Sequence, residues 1–224
     1  MAKIRRAHTA PMPPNLGVVT TRMTSDEHPT SRTLDYYEAN AQAFASSTVN
    51  VDFTSTQQRF ASLLAPGSRI LDFGCGSGRD SKFFLQQGFD VTATDGSAEL
   101  CQIAHELTGL PVRHELFQQL SEVDTYDGIW ACSSILHLPK PELADVLAKM
   151  VAALKPGGVI YTSFKYGDFE GTRNGRYFTD FTEDGFRSFM QPIEGIRVED
   201  WWVSADVRPG RGNEQWLNLL LRKV

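Results

Sequence analysis

The stretch Ile70–Asp80, ILDFGCGSGRD, sets Gly74, Gly76 and Gly78 at alternate positions straight after an apolar run. Asp72 stands two residues before the first glycine. A second acid, Asp95, ends the run DVTATD one helix further on. Glycine admits positive φ and lets a ligand lie against bare backbone. A strand that feeds such a turn and then a helix gathers N–H donors at one spot. This is the chemistry of holding a nucleotide-like ligand, and an acid at Asp95 suits the two hydroxyls of a ribose. The dinucleotide fingerprint G-x-G-x-x-G is broken, because Arg79 stands where its third glycine belongs. The phosphate loop of nucleotide hydrolases also fails, since no Gly-Lys-Ser or Gly-Lys-Thr follows.

For these residues to meet, strands and helices must alternate. RILDF reads as a buried strand, and the next helix carries Phe83, Phe84 and Leu85 and stops at Gly88. DVTATD is a strand by alternation. A helix runs from Ser97 to Gly109 with Leu100, Ile103, Ala104 and Leu107 in register. A short strand falls near Val112–Leu116, and YDGIWAC is another. The helix Pro141–Leu154 presents Leu143, Val146, Leu147, Met150 and Val151; KPGG ends it and VIYTSF follows as a strand. Two helices come earlier, one from Thr33 with Leu34, Tyr37, Ala41 and Phe44 on one face, one over Thr54–Leu64. After a helix at Thr182–Met190, the strands IRVEDWWVSAD and QWLNLLLRKV are joined by a loop too short for a parallel crossover, so they form a hairpin. The expected fold is α/β, doubly wound, with a mostly parallel sheet and an antiparallel C-terminal strand.

The Asp-x-Gly-x-Gly-x-Gly run resembles motif I of the class I S-adenosylmethionine-dependent methyltransferases. YDGIWACSSILHLP is similar to the family's fourth strand and loop, VAALKPGGVIYTSF to its fifth, and the terminal hairpin to its antiparallel last strand. The resemblance spans Leu34 to Val224 and implies a seven-stranded Rossmann-like sheet, S-adenosyl-L-methionine as cofactor, and methyl transfer. By position it implies that Gly74, Gly76 and Gly78 line the methionine part, with backbone contacts from Cys75 and Ser77. Asp72 would orient the loop or take the cofactor's ammonium. Asp95 would hold the ribose, with Gly96 and Ser97 near the adenine edge. Phe117 would touch the adenine, with Gln118 or Gln119 in place of the family's acid. Ala131, Cys132 and Ser133 would pass under the sulfonium. Tyr37 would reach the cofactor from a helical lid over residues 33–64. Arg79 would bind the cofactor carboxylate, or else lie on an exposed helix start with Asp80 offsetting the dipole. His137, Lys165 and Tyr166 are the catalytic candidates at the sheet's carboxyl edge. A satisfied structural histidine and a solvated loop are the alternatives to that role.

The chain has 224 residues, enough for one domain over residues 31–224. A net charge of −5 opposes broad docking on nucleic acid. The Pro-Pro-aromatic motif of amino-methylating nucleic-acid enzymes is absent; ACSS stands there. A small-molecule acceptor is therefore expected. Lys165, Arg173, Arg176, Arg208 and Arg211, interleaved with Tyr166, Tyr177 and Phe178, suit an anionic one. Asp168, Glu170, Asp180 and Glu214 are the acids that would neutralise those cations. Cys75, Cys101 and Cys132 form no metal-ligand pair, so no metal, a reducing compartment and a cytoplasmic location are expected. No apolar run is long enough to span a membrane, and the expected state is a monomer or weak homodimer. Residues 1–30, basic at the start and broken by Pro11, Pro13 and Pro14, read as a disordered tail rather than a secretory or transit segment. The rival readings are a nicotinamide oxidoreductase, another S-adenosylmethionine-using transferase or cyclase, and a non-catalytic cofactor-binding module.

Overall fold

The computed structural model describes residues 28–224, so most of the expected tail lies outside the described residues. Two helices come first, α1 (Pro29–Thr48) and α2 (Thr54–Ala61). The core then alternates: β1 (Arg69–Phe73), α3 (Arg79–Gln86), β2 (Asp90–Asp95), α4 (Ala98–Thr108), β3 (Arg113–His114), β4 (Tyr126–Ala131), α5 (Lys140–Ala153) and β5 (Leu154–Lys165). A small hairpin of β6 (Glu170–Arg173) and β7 (Arg176–Thr179) follows, then α6 (Glu183–Met190), β8 (Ile196–Ala205) and β9 (Gln215–Lys223).

The main sheet has seven strands in the order β3-β2-β1-β4-β5-β9-β8. The β1–β2, β1–β4, β2–β3 and β4–β5 pairs are parallel. The last strand of the chain is not at the edge. β9 inserts between β5 and β8 and is antiparallel to both, with Thr162 opposite Leu219 and Trp202 opposite Asn218. The mostly parallel sheet with an antiparallel C-terminal strand is thus the observed one.

The period of two sends neighbouring strand residues to opposite faces, and both faces are buried. Leu71, Ile129, Ile160 and Leu219 pack with Leu143, Leu147 and Met150 of α5 and Phe186 of α6. Ile70, Trp130, Tyr161 and Leu220 point the other way and meet Phe60 of α2 and Phe84 of α3. There the Trp130 and Tyr161 rings stack at 4.1 Å.

Two differences from expectation bear on the site. α1 begins four residues before Thr33, because Pro29 suits the first helical position and His28 caps it through Thr30 N. The β6–β7 hairpin was not expected at all. Its turn is Asn174-Gly175, both at positive φ, the backbone that two-residue hairpin loops require.

Candidate active site

The carboxyl ends of the parallel strands open onto a cavity of about 580 Å³. The glycine loop forms its floor. Gly74 N and Cys75 N both donate to Thr94 O at 2.9 Å, which staples the loop to β2. Gly76 N donates to Asp95 Oδ2 at 2.8 Å and Ser97 N to Asp95 Oδ1 at 2.9 Å. Burial pushes the Asp95 pKa up, and those backbone donors hold it back. Each carboxylate oxygen keeps a further lone pair for a ligand. Gly74 is where no side chain fits: a Cβ would lie 2.6 Å from Ser134 Cβ and 3.1 Å from the Phe117 ring. Cys75, Gly76, Ser77, Gly96 and Phe117 line the cavity with it, as does Cys132 beyond β4.

Four expected contacts fall behind the cavity wall. Gly78 caps α3 in a left-handed conformation, and a Cβ there would sit 3.0 Å from Ala104 Cα, so this glycine serves the packing of α3 on α4 rather than the ligand. Asp72 is buried under the loop and accepts from Ser81 Oγ at 2.6 Å. Burial and the neighbouring Asp80 charge push its pKa up to about 8. It ties β1 to α3 and does not line the cavity. Ser97 caps α4 and donates to Glu38 Oε2 on α1 at 2.6 Å, which ties that helix to the β2 end. Ala131 packs into the core on the α5 side of the sheet.

Arg79 is not on an exposed helix start. It lines the cavity, forks onto Asp80 through Nε (2.8 Å) and Nη2 (2.9 Å), and lies over the Phe53 ring. Asp80 also accepts from Gln57 Nε2 at 2.7 Å and Trp130 Nε1 at 2.8 Å. Burial opposes its charge, but these donors outweigh burial and hold its pKa down. Asp80 is therefore a buried hub joining α2, α3 and β4, a role beyond offsetting a helix dipole.

The roof is α1 with the β6–β7 hairpin. Phe44 closes on Gly76 and Leu34 on Gly96. Between them Tyr37 Oη sits 2.8 Å from His137 Nε2, while His137 Nδ1 lies 2.6 Å from Tyr177 O. A carbonyl only accepts, so the proton is on Nδ1 and Tyr37 donates to Nε2. Burial drives the His137 pKa down to about 3, so the ring is neutral. His137 does line the cavity, with both nitrogens engaged.

Lys165 and Tyr166 occupy a different wall. Lys165 Nζ is paired with Glu214, stands 3.7 Å from Asp206 and lies over the Trp216 ring. Burial lowers its pKa against the pull of those acids. Tyr166 sits at the rim, 41% exposed. The structure therefore does not gather the three catalytic candidates: it couples His137 to Tyr37 and Lys165 to the β8–β9 loop. The expected cation array is largely neutralised as well. Arg173 is on Asp180, Arg208 on Asp206 and Arg211 on Glu214.

Three residues besides the catalytic candidates, all named from the sequence, also shape the cavity. Ser133 adopts positive φ, held through its N–H to Ser163 Oγ at 2.9 Å. Gln118 donates to Glu142 at 2.8 Å and leaves its buried Oε1 without a partner, whereas Gln119 turns back onto Leu116 N. Arg176 donates to Tyr37 Oη at 3.2 Å and lies 4.6 Å over Tyr36. Its buried Nε has no partner among the described residues, a deficit of about 1–3 kcal/mol for a buried donor.

Residues 70–158 match a family model described as a methyltransferase domain. Among curated proteins the chain is similar to the ubiquinone biosynthesis O-methyltransferase of Xanthomonas campestris pv. campestris, 30% identical over 110 residues, 46% of this chain and 45% of that protein. The chain thus matches less than half the length of that relative. Among solved structures it resembles the 1,6-didemethyltoxoflavin-N1-methyltransferase of Burkholderia thailandensis, described with S-adenosylhomocysteine bound: TM-score 0.73, 20% identity, 92% of this chain and 93% of that one. It also resembles the cyclase SpnF: TM-score 0.68, 16% identity, 87% of this chain and 96% of that one. The likeness to these structures is one of fold. The matching methyltransferase domain, residues 70–158, carries the glycine loop, Asp95 and β4 of this cavity, and the sheet around it has the fold of the S-adenosylhomocysteine-bound Burkholderia structure.

Proposed function

We propose that this protein binds S-adenosyl-L-methionine and transfers its methyl group to a small-molecule acceptor. The observation that carries the reading is the meeting of the Gly74–Gly76 backbone with Asp95 in one cavity beyond the strands' carboxyl ends. The residues present fit the cofactor. Gly74 and Gly76 present bare backbone to the cavity, Asp95 offers lone pairs for ribose hydroxyls, and Gln118 Oε1 is a buried acceptor suited to an amine donor. Bound there, the cofactor supplies a methyl carbon already activated on a sulfonium. The chain's own work is then to bind, align and exclude water. Leu34, Tyr37 and Phe44 on α1 close the roof for that purpose.

The acceptor we infer is small and acid-bearing. Support for the acid comes from Arg176, since the other cations lining the cavity already sit on carboxylates. The curated relative is named for transfer to oxygen and the Burkholderia structure for transfer to nitrogen, so the proposal rests at the level of a small molecule. A second reading, non-methyl chemistry on the same cofactor site, draws on the fold neighbour named as a cyclase. Calorimetric titration with S-adenosylmethionine and S-adenosylhomocysteine tests the first step. Binding in the micromolar range, roughly −8 kcal/mol, is expected. No binding at millimolar ligand would remove the proposal.

A further inference from the structure

Among the described residues six cations line the cavity, and five are matched: Arg79 by Asp80, Lys165 and Arg211 by Glu214, Arg173 by Asp180, Arg208 by Asp206. Arg176 has no carboxylate partner among the described residues. Its guanidinium is held in place by Tyr37 Oη, by the Tyr36 ring at 4.6 Å and by the Phe178 ring at 5.2 Å. A guanidinium carries five N–H groups in a planar fork; here one reaches Tyr37, and Nε is buried and orphaned. Tyr37 is itself fixed by donating to His137, whose other nitrogen is spent on Tyr177 O. Arg173 and Arg208 add positive charge around this cluster, and Asp95 acts on Tyr37 from the glycine-loop side. A fork so held, with no carboxylate of its own and a buried donor unspent, is a prepared site for a planar oxyanion.

Two anions could take it, the acceptor's and the cofactor's own carboxylate. The neighbours of Arg176 come from α1, the segment after β4 and the hairpin itself. Arg79 is the cation nearest the glycine loop in sequence, and Gly76 faces Phe44, seven residues beyond Tyr37 on α1. We propose that Arg176, locked by Tyr37 and His137, is an oxyanion subsite for a carboxylate of the acceptor that does not itself receive the methyl group. An ion pair at the reacting atom would withhold the electrons that form the new bond, so the subsite suits a spectator acid. The acceptor class is therefore a small carboxylic acid that carries its nucleophile elsewhere. The inference rests on the methyltransferase reading above.

The test is equilibrium binding to wild type, Arg176→Met and Arg176→Lys, each checked by its melting temperature. S-adenosylhomocysteine and methylthioadenosine, which lacks the amino-acid carboxylate, are titrated first. Benzoate and its neutral analogue benzamide are then titrated into the S-adenosylhomocysteine complexes. The expected result is unchanged S-adenosylhomocysteine affinity in all three proteins. Benzoate should bind wild type in preference to benzamide, at least tenfold more weakly to Arg176→Met, and in between to Arg176→Lys. If Arg176→Met weakens S-adenosylhomocysteine but not methylthioadenosine, Arg176 holds the cofactor carboxylate and the proposal is overturned. If benzoate shows no preference over benzamide, or binds Arg176→Met as well as wild type, the acceptor subsite is also overturned. Failure of wild type to bind S-adenosylhomocysteine would instead strike the methyltransferase reading itself.

Discussion

Tyr37 Oη on the first helix lies 2.8 Å from His137 Nε2 beyond the fourth strand, a hundred residues away in sequence. The contact fastens the cavity's roof to the sheet edge and fixes the histidine's tautomer. Tyr37→Phe removes the donor and leaves both Nε2 and one Arg176 N–H without partners. A loss of about 1–2 kcal/mol is expected, seen as a melting temperature lower by roughly 2–8 °C for a domain of this size. An unchanged melting temperature would show that the roof is not fastened there.

His137 also sets a pH dependence. Its folded pKa, about 3, lies below the ordinary histidine value. Between about pH 6.5 and 3 the unfolded chain binds the proton and the native chain does not, so stability falls as pH falls, by up to about 1.4 kcal/mol per unit. His137→Asn should remove that part of the slope in urea titrations across the window. The same slope in wild type and variant would contradict a buried neutral imidazole.

Asp72 works in the opposite sense. Its folded pKa, about 8, is raised above the unfolded value. Its contribution is full below about pH 4 and is lost as pH rises toward 8. Asp72→Asn mimics the protonated form and keeps an acceptor for Ser81. The variant should match wild type below pH 4 and be the more stable protein at pH 8. Equal stability at both pH values would mean that Asp72 is ionised in the fold.

Gly76 and Gly78 should part company on substitution. Gly78→Ala forces a side chain onto Ala104 at a left-handed position, costing about 1–2 kcal/mol or more of stability, with S-adenosylhomocysteine affinity kept in the folded fraction. Gly76→Val pushes into Phe44 and the cavity and should abolish measurable binding. Equal affinities in the two variants would erase the distinction between a packing glycine and a lining one.

Asp95→Ala should weaken S-adenosylhomocysteine by about thirtyfold, near 2 kcal/mol, through loss of a charge-assisted acceptor. Calorimetry reads it directly. Wild-type affinity would remove the ribose role.

The frame of this site was legible in the chain. Short apolar runs placed β1, β4 and β5, alternation placed β2, and the glycine run marked the floor. The roof was less so. Asn174-Gly175 is a hairpin signal that β6 and β7 obey, yet these strands have only four residues each, and Gly171, Thr172 and Tyr177 show no clear alternation. Charge pairing was harder still. Lys165 meets Glu214 across 49 positions, and Asp80 collects Gln57 and Trp130 from distant elements, so cations that look free in sequence are spent in the fold. Gly78 read as a ligand contact because spacing cannot tell a loop facing a cavity from one facing a helix.

The most direct test of methyl transfer is the by-product. The protein is incubated with methyl-labelled S-adenosylmethionine and a small-metabolite extract, and the mixture is resolved by mass spectrometry. The account predicts S-adenosylhomocysteine together with label on a small acid, both reduced in Asp95→Ala at subsaturating cofactor. Methylthioadenosine in its place, or no turnover with cofactor bound, would contradict it.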